Sequence, residues 1–284
     1  MTLTFSPLHP LFAASADHVD LRAPPDAVTI REIEAAMDRY AVLVFRDQQL
    51  SEDEQLAFTA RLGPMDPGRH LAVRQHRRVR PEFADVSNLD EEGRVADRNH
   101  RRILSNMATR LWHTDSSYKK PAAKFSLLYC SAIPDWGGET EFADMRAAYD
   151  ALPERLRAEA EGREAEHDVH HSRATLGFAP SEDEIAGAIP PVTWPLVRIH
   201  AGSGRKLIYI GSHATHVVGR SLPEGRVLLA DLLEHATQLQ FVYRHEWRPG
   251  DLVMWDNRAV LHRGRRYDLA QRRDMRRSTV EDRL

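Results

Sequence analysis

Apolar and polar positions alternate between two periods along this chain. Ile30, Ile33 and Met37 fall on one helical face, and Thr29 to Glu32 has the spacing of a capping box. Ala41-Val42-Leu43-Val44-Phe45 is too short and too β-branched for a helix and reads as a buried strand. Ser51 and Glu54 repeat the capping box and open a helix that Gly63-Pro64 stops. Asp144 is placed to cap a helix through Met145, Ala148 and Tyr149, a second helical stretch starts at Pro153, and a third runs from Arg226 to Ala236. Strand patterns take most of the rest: Phe125 to Ile133, Pro195 to His200 with Leu207 to Ile210 around a Gly-rich turn, Phe241 to Trp247, Leu252 to Trp255 and Ala259 to His262. Strand and helix do not alternate regularly, and no Gly-rich phosphate loop follows the first strand, so a doubly wound parallel sheet fits poorly. The pattern predicts a mainly β fold with inserted helices, a sandwich or jelly roll.

Composition narrows the setting. The 284 residues suit one domain spanning 1–284, with no internal repeat or linker-like stretch. Hydrophobic residues make up 42%, enough for a sizeable core. Cys130 is the single cysteine and lies in an apolar strand, which excludes an intramolecular disulfide and fits a core role. The formal net charge of −3 argues against a nucleic-acid binder. Arg69 to Arg80 is locally basic but holds no aromatic residue for base stacking, and it reads as a solvated loop or a lid over a substrate. No run is long and apolar enough to span a membrane, and the N-terminus lacks the pattern of a secretory signal, so a cytoplasmic protein without nucleic-acid or membrane partners is expected. A homo-oligomer is compatible with all of this.

The sharpest local feature is Trp112-His113-Thr114-Asp115. On a strand, residues two apart share a face, so His113 and Asp115 would aim at one point. His262 follows Trp255-Asp256-Asn257-Arg258 in a strand-like segment. Two histidines and a carboxylate on one side of a metal form the facial triad of non-haem Fe(II) oxygenases, with positions left open for co-substrate and oxygen. Alone, a His-x-Asp pair arises often by chance as a surface histidine beside a solvated aspartate. Thr140 after Gly137-Gly138-Glu139, and Arg273 and Arg277 after His262, change the weighting. An iron that must split oxygen needs a two-electron donor, which 2-oxoglutarate supplies by losing carbon dioxide. Its far carboxylate needs a fixed cation, and an arginine fork on the strand after His262 would serve, with a hydroxyl at Thr140. The same donor set also suits a zinc hydrolase, which would leave Thr140 and Arg273 without a role, or a metal-binding jelly roll without catalysis.

Taken together, His113-x-Asp115, Gly137-Gly138-x-Thr140, Trp255-Asp256-Asn257-x-x-x-Leu261-His262 and the trailing arginines resemble the TauD/TfdA group of Fe(II)/2-oxoglutarate dioxygenases over almost the whole chain. Trp194-Pro195-Leu196-Val197-Arg198 and Gly250-Asp251-Leu252-Val253-Met254 are similar to its aryloxyacetate-cleaving branch. The resemblance implies a double-stranded β-helix. It also implies iron on His113, Asp115 and His262, the 5-carboxylate of 2-oxoglutarate on Thr140 and Arg273, and O2 as the other co-substrate. Arg277 would lie near the anion of a small carboxylate substrate, with His200 and His216 as further pocket candidates. The branch carries a lysine in a loop before the metal motif, whereas this chain reads Gly68-Arg69-His70-Leu71-Ala72-Val73-Arg74, which makes Arg69 or His70 the expected substitute. The implied substrate is an aryloxyacetate such as 2,4-dichlorophenoxyacetate; an alkyl sulfonate such as taurine, or a cinnamate-like acid, would need the same chemistry.

Overall fold

The structure, a computed structural model, describes residues 3–67, 78–178 and 189–283. In chain order the elements begin β1 (Thr4–Pro7), β2 (Ala14–Asp17), α1 (Ala27–Tyr40), β3 (Val42–Phe45), α2 (Glu52–Arg61), β4 (Ala84–Asp85), α3 (Arg101–Asn106), β5 (Ala123–Ala132) and β6 (Thr140–Asp144). Next come α4 (Met145–Asp150), α5 (Glu154–Ala160), β7 (Glu164–His167), α6 (Val169–Ala174), β8 (Val192–Pro195), β9 (Val197–Ile199), β10 (Lys206–Ile208) and β11 (Ala214–Val217). The chain closes with α7 (Leu222–Ala236), β12 (Val242–His245), β13 (Leu252–Asp256), β14 (Val260–Gly264) and β15 (Asp274–Glu281). A seven-stranded sheet in the order β1-β2-β3-β13-β5-β15-β4 packs against the smaller sheet β12-β6-β14, with β11-β7-β8 as a third sheet and β9-β10 as a separate hairpin. This is the expected jelly roll with inserted helices. Among the described residues no helix is long and apolar enough to cross a membrane.

The central strands read as unbroken apolar runs because both of their faces are covered. Val42 and Val44 of β3, Leu128 and Cys130 of β5, and Val253 and Trp255 of β13 face the interior of the sandwich, where they meet Phe142 and Val260 from the opposite sheet. Their neighbours Leu43, Phe45, Phe125, Leu127, Leu252 and Met254 face outward against Ile30, Ile33 and Met37 of α1 and Phe58 of α2. Successive residues point to opposite faces, so one run fills two cores.

The helix starts follow their caps. α2 has the expected box: Ser51 Oγ accepts from Glu54 N at 3.2 Å, and Glu54 Oε2 accepts from Ser51 N at 2.7 Å. α1 starts earlier than its Thr29–Glu32 spacing predicts. Asp26 is the cap, accepting from Val28 N and Thr29 N, because its carboxylate reaches two free amides at once. α7 also starts before Arg226, with a proline in its first turn, where the missing N–H costs nothing.

This layering predicts unequal costs of truncation. Phe45, fully buried and edge-on to Phe58 at 5.9 Å, should lose about 3–5 kcal/mol as Phe45→Ala in urea unfolding. Leu239, 87% exposed, should lose almost nothing as Leu239→Ala. Similar costs at the two positions would contradict the assignment of the outer core.

Candidate active site

His113 and His262 meet through the backbone. His113 N donates to His262 O at 3.0 Å and His262 N to His113 O at 2.8 Å, an isolated antiparallel bridge that brings the rings to 4.1 Å. His262 sits on the interior face of β14, against Trp255 at 4.7 Å and Phe142 at 6.2 Å. The strand expected at His113–Asp115 is absent: beyond the single bridge the chain turns, and Ser116 has a left-handed φ of 57°. Asp115 is aimed by Asn257 instead. Asn257 Oδ1 accepts from Asp115 N at 3.1 Å and from Trp255 Nε1 at 3.0 Å, while Thr114 Oγ1 donates to Asn257 O at 2.5 Å.

Three ligand atoms converge. His113 Nε2 lies 3.9 Å from Asp115 Oδ1, and His262 Nε2 lies 3.7 Å from Asp115 Oδ2. All three residues are buried and their ligand atoms lie within 4.8 Å of one another. Donors about 2 Å from one ion stand about 3–4 Å apart, so the set fits a metal. His113 Nδ1 donates to Leu111 O at 2.8 Å, which leaves the Nε2 lone pair facing the site. Burial pushes the His113 pKa down, partly opposed by Asp115, and pushes that of His262 well down with help from His113. Both therefore present lone pairs. Burial alone would raise the Asp115 carboxyl. Arg277 foremost, then the two histidines and Ser126, outweigh it and hold the group far below the usual carboxylate range. Ser126 Oγ donates to Asp115 Oδ2 at 2.7 Å and accepts from Asn257 Nδ2 at 2.9 Å.

Arg273 and Arg277 stand on either side of a register shift at Asp274/Met275. Arg277 of β15 bonds Asp115 Oδ1 through its NH1, and its Nε is buried without a partner. Arg273, just before the strand and 6% exposed, is held by Asn88 Oδ1, which accepts from its backbone N at 2.8 Å, by Val86 O, and by the Tyr267 ring at 5.2 Å. It makes no ion pair with any acid among the described residues, and burial pushes its pKa down. Thr140 begins β6, is buried, and accepts from Trp247 Nε1 at 3.0 Å.

The expected pocket residues divide. Arg69 and His70 lie outside the described residues. His200 is buried on the outward side of β13, with Nε2 3.0 Å from Asp256 Oδ2 and Nδ1 accepting from Ser203 N at 3.1 Å, so it locks the turn before Asn257. His216 bonds Thr215 Oγ1 at 2.7 Å, half-buried on β11. Neither joins the group around His113. His213 does, and sequence reasoning passed over it. Its ring lies 6.2 Å from His113 and 5.0 Å from Tyr118, and burial, then His113, pushes its pKa well down. The usable signal was Gly211: at φ 138° it lets the chain run against Trp112 and His113, where a Cβ would stand 3.2 Å from His113 Cα. Cys130 is a core residue as expected, its thiol pushed up to about 12 by burial. Trp112 and Trp255 are buried packing residues, also as expected.

Among the imidazoles that burial pushes toward the neutral form are His113, His262, His213, His245 and His167, the last pushed down to about 3 by burial and then Arg198. Unfolded, each titrates near about 6.5. Below that pH the unfolded chain binds protons that the folded chain refuses, so stability falls as pH drops. The depressed Asp115 contributes stability above the unfolded carboxylate pKa and does not change in this window. The melting temperature of the metal-free protein should therefore fall steadily from about pH 7 to pH 5. His167→Gln should flatten the slope in calorimetry. A slope unchanged in that variant would mean that His167 accepts a proton inside the fold.

The profile of the family described as taurine catabolism dioxygenase TauD, TfdA family matches residues 4–279. The alpha-ketoglutarate-dependent 2,4-dichlorophenoxyacetate dioxygenase of Cupriavidus pinatubonensis is 54% identical over 284 residues, 99% of each chain. The (S)-phenoxypropionate/alpha-ketoglutarate-dioxygenase of Sphingobium herbicidovorans is 37% identical over 278 residues, 95% of this chain and 92% of that one. Among solved structures, AAD-2 in complex with Mn(II) and N-oxalylglycine superposes with a TM-score of 0.91 at 44% identity, covering 100% of this chain and 98% of that one. A jelly roll enclosing two imidazoles, a carboxylate and the buried Arg273, matched along its length by these relatives, belongs to the TauD, TfdA family of dioxygenases.

Proposed function

We propose that the protein is an Fe(II)- and 2-oxoglutarate-dependent dioxygenase that hydroxylates an aryloxyacetate such as 2,4-dichlorophenoxyacetate. The observation that carries this reading is Arg273, a buried guanidinium without an acidic partner among the described residues, in the same interior as the His113–Asp115–His262 donors. A buried cation without a counter-charge is costly, and a dianionic ligand relieves that cost. A hydrolytic zinc site has no use for it. N-oxalylglycine, held by the AAD-2 structure, has the 2-oxo diacid outline of 2-oxoglutarate.

On this reading His113, Asp115 and His262 hold the iron, and Arg273 and Thr140 hold the 5-carboxylate of 2-oxoglutarate. Iron with 2-oxoglutarate supplies oxygen activation, with succinate and carbon dioxide as co-products. The chain's own groups do the rest. Arg277 keeps Asp115 ionised through NH1 and offers its unpartnered Nε to the substrate carboxylate. That places the attacked carbon, which lies next to the carboxylate, beside the metal donors. His213, held neutral, adds one polar group without adding charge. Trp255 and Phe142 pack against His262 and keep bulk water away. Hydroxylation of the carbon between ether oxygen and carboxylate gives a hemiacetal, which collapses to the phenol and glyoxylate. All these groups rise from one sandwich, so we read residues 1–284 as one catalytic domain.

Succinate release tests this directly. It should depend on 2,4-dichlorophenoxyacetate and not occur with the methyl ester, because the ester has no charge for Arg277. Equal turnover of acid and ester would sink the carboxylate anchor. Arg273→Ala should weaken 2-oxoglutarate by about 2–5 kcal/mol, the cost of removing one partner from a buried charged pair. An unchanged 2-oxoglutarate requirement would give the 5-carboxylate to another cation.

A further inference from the structure

Trp247 is buried and takes part in none of the steps above, yet its Nε1 lies 3.0 Å from Thr140 Oγ1. An indole N–H can only donate, so Thr140 Oγ1 must accept there. A threonine hydroxyl has one proton, and no other hydrogen bond of Thr140 Oγ1 is formed among the described residues. The proton is therefore left to point at a ligand. We propose that Trp247 is a positioning residue that fixes Thr140 as a hydrogen-bond donor to the distal carboxylate of 2-oxoglutarate. This rests on the reading that Thr140 and Arg273 form that subsite.

The indole is itself held rigidly. β12 pairs with β6 so that His245 stands opposite Thr140, and the chain beyond His245 carries Trp247 back over that residue. The His245 ring meets the indole edge-on, with centroids 4.6 Å apart and planes at 86°. His245 Nε2 donates to Asp251 Oδ2 at 3.1 Å, and Tyr243 OH donates to His245 Nδ1 at 3.1 Å. Asp251 Oδ2 also accepts from Arg248 N at 2.8 Å and pairs with Arg46 at 2.5 Å. These bonds fix the His245 ring, which packs against the indole whose N–H meets the Thr140 hydroxyl. Without the indole N–H, that hydroxyl is free to rotate, and part of its donor strength toward an anion is lost on average.

The test is calorimetric binding to Mn(II)-loaded protein without oxygen, using 2-oxoglutarate and 2-oxopentanoate, which keeps the chelating end and replaces the distal carboxylate by a methyl group. Trp247→Phe should raise the 2-oxoglutarate Kd about fivefold, the effect of one neutral hydrogen bond, and leave that of 2-oxopentanoate unchanged. Thr140→Ala should raise it at least as much, and the double variant should bind no worse than Thr140→Ala. Additive losses, or equal weakening of both ligands by Trp247→Phe, would overturn the proposal while leaving the subsite standing. Unchanged 2-oxoglutarate affinity in Thr140→Ala would overturn the subsite itself, and the proposal with it. A second measurement needs no substitution at Trp247. In wild-type protein loaded with Zn(II), the Trp247 indole N–H proton resonance should move with 2-oxoglutarate and stay with 2-oxopentanoate. An equal shift with both ligands would also overturn it.

Discussion

An ionised carboxylate at the centre of a dry sandwich sets the terms for the rest of this molecule. Burying Asp115 as an anion costs several kcal/mol unless it is paired and hydrogen-bonded. Its carboxylate is bonded by Arg277 from β15 and Ser126 from β5, while Asn257 in the turn after β13 accepts from its backbone N. Neither β5 nor β15 can shift by a residue without leaving the carboxylate short of a bond, because a slip by one residue turns a strand's side chains to the other face. The register of the large sheet and the geometry of the site are one constraint.

Strand alternation separates chemistry from support. Ser126, Met275 and Arg277 face the interior, whereas Arg276 and Ser278 of β15 face outward and bind Gln55 and Thr59 of α2. Asp256 faces outward, held by His200 at 3.0 Å and by Arg258, while Trp255 beside it packs on His262. Those outward contacts fix the turn from which Asn257 reaches Asp115. A polar residue on the outer face thus acts on the metal donors through the backbone it anchors.

This explains which parts were legible in the chain. The apolar runs at Val42, Leu128 and Val253 showed strands because both of their faces are covered. Arg273 precedes β15 and a register shift at Asp274/Met275 separates it from Arg277, so the spacing of the two arginines does not by itself place them on one face. His113 and Asp115 do converge, but not for the local reason their spacing suggests. They converge through a backbone bridge and a side-chain amide from more than a hundred residues away, and strand alternation has no part in it. Trp247 and His213 carry no local signal of their own, since each acquires its role from contacts distant in sequence.

The two arginines show how position makes identical side chains unequal. Arg277 is already neutralised by Asp115, and among the described residues the Arg273 guanidinium is met by the Val86 carbonyl and the Tyr267 ring. On the proposed reading the groups touching the ion or its ligands carry a closed set of charges. The iron contributes two positive charges and each arginine one. Asp115 contributes one negative charge, 2-oxoglutarate two and the substrate carboxylate one. The imidazoles add nothing, because burial keeps His113, His262 and His213 neutral. In a low-dielectric interior an unbalanced charge is costly, so the assembled site favours a substrate bearing one negative charge over a neutral ester or a dianion.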